Sequence, residues 1–159
     1  MNEILSYIIP VVTIIISNYL GRRSQEITTN KENKMQRYDI AYIPILNRLI
    51  IDLPNSPNFI VSENSAIFYT EIILNNLHYY ENETWANFQP FYNSYLEYIG
   101  HIKVNPDAQA QSPYINIFFR DLIMSILKEG SELSRELSLP DISAFLYSQI
   151  QQDCKPAKG

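Results

Sequence analysis

The sequence predicts an all-α protein: an N-terminal single transmembrane helix followed by a compact helical bundle of about four to six helices. Three observations lead there. The run Ile4–Leu20 holds no charged side chain and is followed at once by Arg22 and Arg23. Beyond it, apolar residues recur every three or four positions in several separate stretches, the period of a helix with one buried face. Glycine is scarce, 4 in 159 residues, whereas all-β folds depend on glycine turns. Charged residues make up 18%, below the quarter usual for a soluble domain, which suits a chain with part of its length in lipid.

The expected anchor covers residues 1–21. Seventeen helical residues rise about 26 Å, at the short end of what spans a ~30 Å hydrocarbon core. Six Ile, two Leu and two Val favour lipid, while Pro10, Ser6, Thr13, Ser17 and Asn18 work against insertion. Tyr7 and Tyr19 lie toward the two ends, where amphipathic rings suit the headgroup level. Only Glu3 precedes the run, and Arg22 and Arg23 follow it. The positive-inside rule therefore reads Arg22 and Arg23 as the topology signal, placing the N-terminus outside and the rest in the cytoplasm. A cleaved signal peptide fits poorly, for want of a basic n-region and a small-residue cleavage site.

Residues 22–33 read as a basic juxtamembrane linker or a continuation of the anchoring helix. Charge then changes sign: Arg22 to Arg48 carries net +3, and Leu49 to Asp153 carries net −9. A basic collar sits well against anionic headgroups and an acidic body stands off from them.

The helical domain is expected over residues 34–152. A first helix reads from Lys31 to Asp52 with Asn30 as cap, its inward stripe being Met35, Tyr38, Tyr42, Ile45, Leu49 and Leu53. Pro44 should kink or split it. Pro54 and Pro57 end it, leaving a loop to about Asn64. A second helix runs from Glu63 to Tyr80 behind a Ser62 cap, with Ile67, Glu71, Leu74 and His78 on one face beside Phe68 and Ile72. Thr84 caps a third, Trp85 to Val104, with Trp85, Phe88, Tyr92, Tyr95, Ile99 and Ile102 in line; Pro90 weakens its first turns. After the NPDAQAQ loop, Ser112-Pro113 starts a fourth helix to Glu129, with Ile115, Phe118, Phe119, Leu122, Ile123 and Ile126 inward. Gly130 should close it, and Ser131 should cap a short piece to Leu139. Pro140 breaks that piece, Ile142 to Gln151 is a last amphipathic helix, and residues 153–159 form a disordered tail.

The search for chemistry returns little. Glu97 and His101, and Glu71 and His78, lack the Glu-x-x-His spacing of a metal-binding bundle, so no metal is expected. There is no glycine-rich phosphate loop, no Cys-x-x-Cys, no His-Glu-x-x-His and no Gly-x-Ser-x-Gly. No cofactor and no catalytic residue are assigned. Cys154, the lone cysteine, cannot staple the domain. The Asn82-Glu83-Thr84 sequon matters only on an extracellular eukaryotic domain.

Aromatics crowd between Tyr79 and Tyr98. Most such residues fill a core, but Tyr79, Tyr80, Trp85, Phe91 and Tyr98 are taken as candidate partner-binding side chains, because Tyr and Trp anchor interfaces. The region is acidic, so nucleic acid is not expected as a partner. The Ile-, Asn- and Tyr-rich composition suggests an AT-rich bacterial or phage genome. The expected role is a non-catalytic interaction protein held at the inner (cytoplasmic) membrane, with the bilayer and another membrane protein or a second copy as partners. The alternatives are a membrane-active holin-like or toxin-like protein and an enzyme with a dispersed active site.

Overall fold

The computed structural model describes residues 2–53, 62–104 and 113–153; the side chains of residues 2–16, 18, 19, 101–104, 113 and 153 lie outside the description. Every regular element among the described residues is helical. The chain divides into two compact units, Met1–Gln36 and Arg37–Gly159.

The first unit is part of a single helix, α1 (Asn2–Arg37). Residues 22–33 are therefore helical, and Asn30 lies inside the helix instead of capping a new one. From Leu20 to Asn33 every side chain is exposed. No helix of the described residues is long and apolar enough to cross a membrane. The expected span, Ile4–Leu20, falls for the most part on side chains outside the described residues.

In the second unit a π-helical turn (Tyr38–Tyr42) precedes α2 (Ile43–Asp52). Pro44 explains the turn. Its missing N–H and its ring forbid the regular α bond to the carbonyl four residues back. The chain widens by one residue instead, and the Ile43 N–H bonds the Tyr38 carbonyl. The proline expected to kink or split the helix thus sits in the first turn of its second part, where proline is tolerated.

α3 (Glu63–Asn75) begins where expected. The Ser62 side chain caps it, accepting from the Ser65 N–H at 3.2 Å. It stops earlier than the sequence implied: Asn76 turns back to bond the Ile72 carbonyl through its side chain at 2.8 Å, and a short 3₁₀ turn follows over Leu77–Tyr79. Its inward face is Ala66, Tyr69, Thr70 and Ile73; Glu71, Leu74 and His78, expected on a common face, are exposed.

α4 (Asn82–Val104) starts two residues before the expected cap. The Trp85 N–H bonds the Glu81 carbonyl, so Thr84 lies in the first turn and is fully buried, with its hydroxyl 3.2 Å from the Ser125 hydroxyl. α5 (Pro113–Glu136) packs along α4 and α6. It passes straight through Gly130 and Ser131, which neither close nor open a helix. Gly130 is there for space: a Cβ would stand 2.8 Å from the Ser143 Oγ and 3.1 Å from a ring carbon of Tyr42. The stop comes at Ser138, whose φ of 59° is left-handed. The Leu139 N–H reaches the Ser134 carbonyl at 2.8 Å and the Ser138 N–H reaches Arg135 at 3.1 Å, the bond pair of a Schellman motif. Asp141 then caps α6 (Ile142–Asp153), accepting from the Ala144 N–H at 2.9 Å.

The core is aliphatic along α5, with Leu122, Ile123, Ile126 and Leu127 fully buried, and aromatic where α3 and α4 meet it. Phe119 lies 4.9 Å from Tyr69 and 5.5 Å from Phe91, centroid to centroid. The expected loops and tail at residues 54–61, 105–112 and 154–159 lie outside the described residues.

Candidate functional site

Of the five aromatics singled out from the sequence, two are core residues. Phe91 is fully buried and Tyr80 nearly so, the latter donating its hydroxyl to the Ala41 carbonyl at 2.9 Å. Buried in this way, neither presents a surface to a partner. The expected α4 stripe holds in part: Phe88 and Tyr95 are buried as expected, but Phe91 is buried with them and Trp85 is turned outward. Trp85 is 40% exposed and Tyr79 and Tyr98 are half-buried. Trp85 meets Phe88 edge-on at 6.3 Å, and Phe88 stacks on Tyr92 at 5.6 Å. Together with Ala86 and Gln89 these rings line a shallow depression of about 360 Å³. The exposed indole rests edge-on against the buried Phe88, and tryptophan is among the residues enriched at interface anchors.

A wider groove of about 660 Å³ runs between α4, α5 and α6. Its wall carries Glu83, Arg120, Asp121 and Lys128. Charges there cancel locally, with the Lys128 Nζ 2.6 Å from Glu83 and Arg120 3.2 Å from Asp121. Such a wall offers no net field to a charged ligand.

The strongest electrostatic feature was invisible in the sequence. Glu129, expected as the last residue of the fourth helix, is inside, its side chain 4% exposed. The Tyr42 hydroxyl donates to its Oε2 at 2.8 Å, and the Glu81 backbone N–H does so at 3.2 Å. Arg37 closes the cluster: its guanidinium donates to the Tyr42 oxygen at 2.8 Å, to Glu81 at 3.4 Å, and stands 3.7 Å from Glu129. Burial and the Glu129 charge push the Tyr42 and Tyr80 hydroxyls far above the usual tyrosine range, so both stay protonated as donors. Burial opposes the Arg37 charge, but Tyr42 and Glu81 outweigh it and raise the pKa. Glu129 Oε1 and Arg37 Nε have no hydrogen-bond partner among the described residues. The cluster joins the π-turn, the start of α4 and α5, and none of its four residues lines either surface depression.

A second cluster ties α2 to α3. Arg48 and the Ser65 and Tyr69 hydroxyls all donate to or pair with Asp52 Oδ2, at 3.0, 2.9 and 3.3 Å, and the Arg48 guanidinium lies over the Phe68 ring. Its bonds are internal, as expected of a structural clamp.

Among the described residues no group of three or more His, Cys, Asp or Glu side chains could hold a metal. Glu71 and His78 are exposed, and His78 packs on Tyr79; the side chain of His101 lies outside the description. Arg22 and Arg23 are exposed on α1. No family model matches the chain, and neither a curated protein nor a solved structure is significantly similar to it.

Proposed function

We propose that the protein is a membrane-anchored interaction protein, held at the cytoplasmic face of a bacterial or phage-infected cell's membrane, whose helical body docks a partner and carries out no catalysis. The observation that carries the reading is the uncharged stretch Ile4–Leu20, closed by Arg22 and Arg23 and lying on one helix with them. Lipid is the solvent that best accommodates ten Ile, Leu and Val side chains in seventeen positions, and the paired arginines set the orientation. The body's net negative charge keeps it off anionic headgroups and leaves its surface available. Trp85, on a preformed aromatic bed, is the anchor for the docked partner, with Tyr79 and Tyr98 as further candidates.

Fractionation tests the anchor. The full chain should sediment with membranes and resist carbonate extraction, and a C-terminal reporter fusion should be active only in its cytoplasmic form. Val12→Asp, which costs roughly 2.5–3.5 kcal/mol of insertion free energy, should release the chain. A wild-type chain found in the soluble fraction, or a reporter active outside, would overturn the reading.

A further inference from the structure

We infer that α1 pairs with α1 of a second copy of this chain, side by side and in parallel, along a seam containing Leu20 and Ile27. This contact is separate from the docking at Trp85, and its parallel sense rests on the proposed anchor, which holds both copies the same way up.

The starting point is that Leu20–Asn33 is helical although nothing in its own unit covers it. Leu20 is 56% and Ile27 62% exposed, and a Cβ at Gly21 would meet nothing within 4 Å. The segment is a poor helix on its own account. Gly21, Ser24, Ile27, Thr28, Thr29, Asn30 and Asn33 are weak helix formers. The Thr28 hydroxyl bonds back to the Ser24 carbonyl at 3.0 Å, a contact that bends helices instead of supporting them. A bare stretch of this composition and length is marginal in water, so an apolar seam shared with another helix would supply what is missing.

The charges say which helix. Leu20 and Ile27 are seven residues apart, so they occupy equivalent a positions of a heptad. That register places Glu26 at g and Lys31 at e. In a parallel pair, the g residue of one helix faces the e residue of the following heptad in the other. Glu26 of each copy therefore faces Lys31 of the other, and twofold symmetry makes the favourable pair twice. Gln25 and Thr29 fall at f and c, away from the seam. Arg23 falls at d and Lys34 at the a position after Ile27, and each brings two like charges together, so the pairing is weaker than an all-apolar seam would give. Asn30, the next d residue, is polar and helps fix the register.

The experiment is thiol cross-linking of the full chain in membranes. With Cys154→Ser as background, single cysteines are placed at Leu20, Gln25, Ile27 and Thr29 and oxidised. Covalent dimer should form at positions 20 and 27 and at least fivefold less at 25 and 29, given how sharply disulfide geometry depends on Cβ separation. Glu26→Lys in the Ile27→Cys chain should lower the dimer yield by roughly fivefold, and adding Lys31→Glu should restore it. Arg23→Leu should raise it. Equal yields at all four positions, no dimer, or no rescue by the charge swap overturns the pairing even if the chain is in the membrane. A chain in the soluble fraction that still cross-links at 20 and 27 alone keeps the pairing and discards the anchor.

Discussion

Gly130→Ala sets two ordinary expectations against each other, and the packing around Gly130 decides between them. In the middle of a helix, alanine is more favourable than glycine by about 0.8–1.0 kcal/mol. By propensity alone the variant should be stabilised. The added methyl group would meet the Ser143 Oγ at 2.8 Å and a Tyr42 ring carbon at 3.1 Å. Both neighbours are buried, and Tyr42 is further held by its bonds to Glu129 and Arg37. It cannot swing aside without breaking them. Overpacking of this kind costs about 1–3 kcal/mol, enough to cancel or reverse the propensity gain. The expected net result is destabilisation of about 1 kcal/mol, a fall in melting temperature of about 3–6 °C for a domain of this size. Thermal unfolding of the full chain in detergent, followed by circular dichroism, reads it. A second variant isolates the cause. In a Ser143→Ala background the 2.8 Å neighbour is gone, and the penalty for Gly130→Ala should shrink. A Gly130→Ala chain that gains the full propensity increment would refute the close approach of α5 to Ser143 and Tyr42. Equal penalties in both backgrounds would clear Ser143 and leave Tyr42 as the obstacle.

Three further outcomes follow from the same geometry. Ser138→Gly should stabilise by about 0.5–1 kcal/mol, since only glycine holds φ near 59° without strain, and a denaturant midpoint that falls instead would count against the Schellman stop. Burial raises the Asp141 carboxyl, but Ser131, the Ala144 N–H and Arg135 overcome this and hold it below the usual carboxylate range. Its contribution is therefore present above the unfolded-state pKa and is lost as pH falls through the folded one; Asp141→Ala should cost about 1 kcal/mol near pH 7 and progressively less in acid. Glu129→Ala removes the acceptor of the buried Tyr42 hydroxyl and of the Glu81 N–H and should cost about 1–3 kcal/mol, with Glu129→Gln, which keeps an acceptor, costing clearly less.

The all-helical character and most helix starts were legible because they rest on local chemistry. Ser62 reads as a cap and Pro113 as a first-turn residue from neighbours alone, and Pro44 announced a disturbance. What Pro44 could not announce was its form, a π-turn that buries Tyr38, Ala41 and Tyr42. Gly130 was misread because a glycine beside a helix end looks like a stop, and the need for an absent Cβ belongs to Ser143 and Tyr42, distant in sequence. The true stop uses Ser138, which no propensity marks as left-handed. Periodicity also put Glu71, Leu74 and His78 on one face of α3, where they are exposed, and Trp85 in the inward stripe of α4. Aromatics occupy many positions in α4, and packing against Phe119 brings Phe91 into the core while Trp85 stays exposed. Glu129 sits in a Lys-Glu-Gly context that reads as surface; the partners that take it inside lie on other elements. Of the five expected contact aromatics, packing therefore removes Phe91 and Tyr80 from the surface and leaves Trp85, Tyr79 and Tyr98 accessible.

The bond from Tyr42 to Glu129 joins residues 87 apart in the chain. Most of the body's contacts form within a helix or between neighbouring ones, and those can assemble quickly with short loops to close. This bond has to wait until α2 through α5 are in place, because the loop it closes is long and its two ends are brought together only by packing that already exists. It should therefore be absent from the rate-limiting ensemble of folding. Its loss would leave the rate of folding nearly unchanged and appear as faster unfolding. The buried cluster is in that sense a fastening added at the end, setting how long the native body lasts more than how readily it forms.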